Sequence, residues 1–160
     1  MTILRLETHI KAPAARCFLL SLSVDMHTFS TSHTNEKVVG GITSGIMRKG
    51  DFVTWRAKHF GIWQQLSSTI TAYDYPTYFC DEMVQGAFKS MRHEHYFIDR
   101  QGYTLMKDIF SFESPLGILG KLANTLFLNV YMQNLLAQRN KAIKAVAESN
   151  DWKKFIETQG

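Results

Sequence analysis

The sequence predicts an α+β fold in which a curved antiparallel sheet wraps a long C-terminal helix. Three observations carry that expectation. A half-buried strand and two short helices open the chain; β patterns joined by turns then run from Glu36 to Glu113; helical periodicity takes over after Ser114. No internal repeat and no linker rich in Pro or Gly interrupts the 160 residues, a length suited to one domain. We therefore expect a single domain over 1–150 and a C-terminal tail over 151–160.

The first strand is Thr2 to Ile10, with Leu4, Leu6 and Ile10 on one face and Arg5, Glu7 and His9 on the other. Pro13 suits a first helical turn and opens a helix over Ala14 to Ser21; a second short helix follows over Val24 to Ser30. Val38 and Val39 form the next strand, with a bulge or bend at Gly40-Gly41. After a loop from Thr43 to Gly50 come strands over Asp51 to Phe60, Trp63 to Tyr73, Thr77 to Val84, Lys89 to Ile98 and Tyr103 to Glu113, the last two joined by a turn over Asp99 to Gly102. Short turns between successive strands mean an antiparallel meander. Such a sheet, seven strands wide, must curl, and a helix in its concave face buries its apolar side. That helix begins with Ser114 as cap and Pro115 as first residue, and runs to Glu148 through Ile118, Leu122, Met132, Leu136, Ile143 and Val146. Its second half is amphipathic, with Arg139, Lys141, Lys144 and Glu148 assigned to the outside.

Composition narrows the function. At 45% hydrophobic and 20% charged residues the chain is an ordinary folding sequence rather than a disordered one. The 11 Phe, 6 Tyr and 3 Trp point to a bulky core or a ring-lined pocket. A net charge of +4 without a basic block argues against a nucleic-acid partner and leaves room only for transient contact with anionic membranes. No apolar run approaches a membrane span, so stable insertion is not expected. Cys17 and Cys80 sit among apolar neighbours and read as buried free thiols, which with the lack of a signal peptide predicts a cytoplasmic protein.

Several segments carry a family likeness: Val53-Thr54-Trp55-Arg56-Ala57-Lys58-His59-Phe60-Gly61, Phe79-Cys80-Asp81-Glu82-Met83 with Gly86, and His93-Glu94-His95-Tyr96-Phe97. Thr104-Leu105-Met106-Lys107-Asp108, Pro115-Leu116-Gly117-Ile118-Leu119-Gly120 and Arg139-Asn140 extend it over essentially the whole chain. With these motifs the sequence resembles the START-like superfamily, also called SRPBCC or helix-grip domains, which includes the birch pollen allergen, lipid-transfer domains and polyketide cyclases. It is most similar to a bacterial ligand-binding SRPBCC branch whose members sometimes carry a cell-division-inhibitor label. The branch usually has Gly-Pro-Phe where this chain has Gly86-Ala87-Phe88, a change that loosens a turn. The resemblance implies a helix-grip fold with an internal cavity; no cofactor is expected, as the chain lacks a phosphate-cradling glycine motif.

Strand alternation selects the inward residues. Arg92 and Glu94 mark the wet face of their strand, which turns His93, His95 and Phe97 inward. Lys107 and Glu113 do the same for the last strand, turning Thr104, Met106, Asp108, Phe110 and Phe112 inward; Trp55 and His59 lie opposite Arg56 and Lys58. Asp81 shares a face with Phe79 and Met83, which favours it over Glu82 as the inward carboxylate, although the resemblance draws Glu82 in as well. The expected ligand-binding set is thus Trp55, His59, Asp81, His93, His95, Phe97, Met106, Asp108, Phe110 and Phe112. Apolar walls with a few polar groups suit a small hydrophobic or amphipathic molecule.

Other readings compete. The same residues fit a solid core in which Asp108 pairs with His93 or His95. Two imidazoles on one strand face, with Asp108, His59, Asp81 or Glu82 nearby, form a candidate metal set, but that spacing arises often by chance, and the expectation is no metal. A His beside a carboxylate also suits proton transfer in a cyclase or dehydratase, whereas no activated nucleophile is visible. A protein-interaction module would instead show a filled cavity and a large exposed apolar patch.

Overall fold

The computed structural model describes residues 1–114 and 127–156. Its strands are β1 (Thr2–Ile10), β2 (Lys37–Gly41), β3 (Phe52–His59), β4 (Ile62–Asp74), β5 (Tyr78–Gln85), β6 (Ser90–Arg100) and β7 (Tyr103–Glu113). The helices are α1 (Ala14–Leu22), α2 (Val24–Ser30), α3 (Asn129–Ala147) and α4 (Trp152–Ile156). One seven-stranded sheet has the order β1-β7-β6-β5-β4-β3-β2, with every neighbouring pair antiparallel. The meander accounts for five of these pairings. The sixth returns β1 to the far edge beside β7, across the two helices that follow it.

Local chemistry explains the elements. Ser23 ends α1 and caps α2, its Oγ accepting from Met26 N–H at 3.1 Å. The expected bulge lies between Val38 and Gly40 on β2. Gly41 follows it at φ 74, where a Cβ would stand 2.2 Å from the carbonyl oxygen of Phe52, so only glycine fits. Phe60 and Gly61 join β3 to β4 with both residues at positive φ, the two-residue turn whose twist matches paired strands.

Differences from the sequence reading are few. The β6–β7 turn is only Gln101-Gly102, because pairing continues to Arg100 opposite Tyr103. The segment read as a C-terminal tail contains α4, whose Trp152, Phe155 and Ile156 pack on the core. The expected helix start at Pro115, and with it Gly117, Ile118, Gly120 and Leu122, lies outside the described residues.

Two apolar clusters fill the concave side. The larger joins α1 and α2 to the sheet around the fully buried Phe18, whose ring meets Phe79 and Phe97 edge-on at 5.5 and 5.4 Å. The smaller joins Leu4, Met91, Phe110 and Phe112 to Met132 and Leu136 of α3. Cys17 and Cys80 are free and buried. Among the described residues no helix is long and apolar enough to cross a membrane.

Candidate functional site

Between sheet and helices lies a cavity of about 530 Å³, lined by members of both clusters. Trp55, Phe79, Phe88, Phe110, Tyr131 and Leu136 supply much of its apolar wall. Exposed Phe60, at the β3–β4 turn, and exposed Phe127, before α3, also line it and pack on each other at 5.9 Å, so they form its rim.

One wall is polar. Register puts Asp81 of β5 opposite His93, and His95 opposite Asp108 of β7, all on the concave face. Strand twist then lets each carboxylate reach a diagonal neighbour as well. His93 Nε2 lies 2.8 Å from Asp108 Oδ1, and His95 Nε2 lies 2.8 Å from Asp81 Oδ2. His95 Nδ1 is 3.2 Å from the same Asp108 oxygen, in ion-pair range but without hydrogen-bond alignment. From α3, Asn140 Nδ2 donates to Asp108 Oδ2 at 2.7 Å; Arg139 stands 3.4 Å from Asp108 Oδ1 and donates to Asn140 Oδ1 at 2.8 Å. The imidazoles of His93 and His95 lie 3.8 Å apart, and Phe79 stacks on His95 at 4.1 Å.

Electrostatics follow from burial and these partners. Burial lowers the His93 pKa to about 4, helped by the neighbouring His95 and opposed by Asp108, so the ring is neutral at pH 7. Burial alone would raise Asp108, yet the His93 bond, the close approach of His95 and the nearby charges hold it well below the usual carboxylate range. Asp81 is likewise held low, the bond and charge of His95 outweighing its desolvation.

A second polar group stands on the β3 side of the cavity. His27 Nε2 lies 3.0 Å from Glu36 Oε1, and the His27 ring lies 4.1 Å from the Trp55 ring. His59 Nδ1 hydrogen-bonds the Tyr131 hydroxyl. Glu36 is held below its ordinary pKa because the His27 charge and hydrogen bonds outweigh burial; burial lowers His59.

Of the residues expected at the site, Trp55, His59, Asp81, His93, His95 and Phe110 line the cavity. Phe97, Met106 and Phe112 are buried in the apolar clusters, and Asp108 is enclosed by the two imidazoles, Arg139 and Asn140. The choice between the adjacent carboxylates falls to Asp81; Glu82 faces Arg92 at 3.8 Å on the convex side, where Arg92 also meets Glu94. Arg139 corrects the sequence reading: it is buried and lines the cavity rather than facing water. His27, Glu36 and Tyr131 were not anticipated. His27 lies in the two-turn helix α2 and Glu36 just after the helical turn at 32–34, segments too short for a period to assign a face.

The fold has clear precedents among solved structures. The Zhui aromatase/cyclase from a Streptomyces species superposes with a TM-score of 0.74 at 11% identity, covering 92% of this chain and 93% of that one. A START superfamily protein from Mycobacterium smegmatis gives a TM-score of 0.64 at 12% identity, covering 91% and 97%. The fold is START-like. The Thermus thermophilus protein TTHA0849 shares this START-like fold, at a TM-score of 0.69 and 18% identity over 91% of this chain and 99% of that one. No family model and no curated protein sequence matches the chain. At these identities the likeness establishes the shared START-like fold, and the chemistry rests on the side chains of this chain.

Proposed function

We propose that the domain, 1–150 with α4 packed on it, binds a small hydrophobic or amphipathic molecule in its cavity, as a carrier or sensor. The observation that carries this reading is the cavity of about 530 Å³ itself, with aromatic and aliphatic walls and polar groups gathered at two places. The volume lies within the usual range of small-molecule sites. The polar groups orient a ligand that the apolar walls hold by burial. A cytoplasmic location belongs to the same reading, supported by two buried free thiols; nucleic acid is not a partner in it.

Ala57 is a buried cavity-lining residue of β3, so Ala57→Phe puts a ring into the space while leaving Asp81, His93, His95 and Asp108, on other strands, unsubstituted. In calorimetric titrations with dodecanol and naphthol, the wild type should bind at least one of the two. Ala57→Phe should lose at least about tenfold in affinity while its melting temperature is held or raised, because a ring that enters existing space avoids the strain of overpacking. Unchanged affinity in the filled variant would place binding elsewhere.

A second reading is favoured by one observation, the buried His93–Asp108 pair beside the cavity. A neutral imidazole oriented by a carboxylate can accept a proton from a bound substrate. A cyclase or dehydratase of this kind would lose turnover on His93→Gln while keeping substrate affinity within a few-fold.

A further inference from the structure

We propose that Asp81, His93 and His95 form a binding site for one divalent transition-metal ion at the polar wall of the cavity. The site goes beyond the ligand-binding reading, since an ion is held or not held there whether or not an organic molecule enters. One donor atom from each of the three side chains lies within 4.8 Å of the others. Two imidazoles and a carboxylate form a donor set that zinc and its first-row neighbours take while keeping further positions open. Donor atoms about 2.1 Å from an ion stand at most about 4.2 Å apart, so a small side-chain rotation closes the trio.

The surroundings favour this over a plain hydrogen-bonded cluster. Histidines that ligate a metal commonly donate their other ring N–H to a carboxylate, which fixes tautomer and ring orientation. Here one carboxylate serves both rings: Asp108 Oδ1 lies 2.8 Å from His93 Nε2 and 3.2 Å from His95 Nδ1. The nitrogens left for a metal are His93 Nδ1 and His95 Nε2, and the latter already faces Asp81 Oδ2 at 2.8 Å. Asp108 is itself held by Asn140 at 2.7 Å and Arg139 at 3.4 Å. Phe79, stacked on His95, fixes the plane of that ring. The buried His95 Nδ1 has no aligned partner, and the side-chain rotation that closes the trio could bring it into line with Asp108 Oδ1, 3.2 Å away.

Charge and access agree. Asp81 and Asp108 bring two carboxylates to the cluster against the one guanidinium of Arg139, a balance of groups that suits a dication. The ion would take the place of the proton on His95 Nε2 and leave the ring as its Nδ1–H tautomer beside Asp108, with no change of oxidation state. All three donors line the cavity, so the open positions of the ion would face bound ligand.

The test uses the full chain free of any affinity tag, stripped with a chelator and titrated with Zn²⁺ by calorimetry and Co²⁺ by visible absorption. One equivalent of Zn²⁺ should bind, and Co²⁺ should develop ligand-field bands. Asp81→Asn, at a partly exposed position, should weaken Zn²⁺ binding at least about tenfold, and Asp108→Asn about 10–100-fold through loss of ring orientation. His33→Gln, an exposed histidine that does not line the cavity, should change nothing. Circular dichroism and melting temperature identify the folded variants, and Asp81→Asn decides the matter if Asp108→Asn does not fold. Failure of the folded wild type to take up one equivalent would overturn the proposal, as would unchanged uptake by Asp81→Asn.

Discussion

Asp108 receives Asn140 on one oxygen and His93 and Arg139 on the other, with His95 Nδ1 3.2 Å from that second oxygen, all while buried. Removing one member of such a cluster leaves the others desolvated and unpaired, a loss of about 3–5 kcal/mol for a buried ion pair. We expect Asp108→Ala to lower unfolding free energy by that order in urea titrations, and a loss under about 1 kcal/mol would mean the cluster repacks freely. The same residues set an acid limit in the metal-free chain. His93 titrates near 4 when folded against 6.5 when unfolded, so the unfolded state binds more protons between those values. Stability should therefore fall as pH drops from 6.5, by roughly 3 kcal/mol at pH 4 from His93 alone. Asp108 acts in the same direction: its depressed value favours the folded state above the unfolded carboxylate value, and that contribution fades at lower pH. Urea midpoints measured across this range that rise toward acid would contradict both assignments. Alternation of charged and uncharged residues on β6 and β7 made the inward direction of His93, His95 and Asp108 legible. Their partners on α3 were not, because Arg139 was assigned by its charge alone. Its position argued otherwise: Met132, Leu136, Arg139, Ile143 and Val146 follow the spacing of one helical face, and all five are buried.

At the scale of elements, α1 is held by Phe18, whose ring meets Phe79, Phe97, Tyr73 and Tyr75 edge-on. Phe18 does not line the cavity. Phe18→Ala should cost about 3–5 kcal/mol in chemical denaturation. Ligand affinity under native conditions should stay within a few-fold, since Phe18 does not itself line the cavity, although it packs on Phe79, which does. A large affinity loss at unchanged stability would place Phe18 at the binding surface instead. Strands were legible because each half-buried strand writes its burial into a period of two, and the predicted and observed boundaries differ by only a residue or two. Short elements were harder. The helical turn at 32–34 and the segment carrying Glu36 have no period to read, which is why the Glu36–His27 pair escaped notice. Trp152, Phe155 and Ile156 of α4 are too few to announce a packed helix on their own.

For the molecule as a whole, the order of elements made the curved sheet and its helix legible, but not whether the space between them is filled. Identical inward residues line a cavity or close a core; the difference lies in how far the sheet curls and where α3 rests on it. The structure separates the two roles. Phe97, Met106 and Phe112 belong to the packed clusters and do not line the cavity, whereas Trp55 and Phe110 belong to the same clusters and also line it, together with His59, Asp81, His93 and His95. A molecule seated in the cavity of about 530 Å³ would gain dispersion contacts with its apolar walls. The most direct measurement is native mass spectrometry of the freshly purified chain, with solvent extraction of whatever accompanies it. A co-purifying hydrophobic or amphipathic molecule near one per chain, displaced by Ala57→Phe, is the predicted result. A clean ligand-free mass, with no rise in melting temperature against a panel of fatty acids, fatty alcohols and polycyclic aromatics, would contradict ligand binding as the function of the cavity.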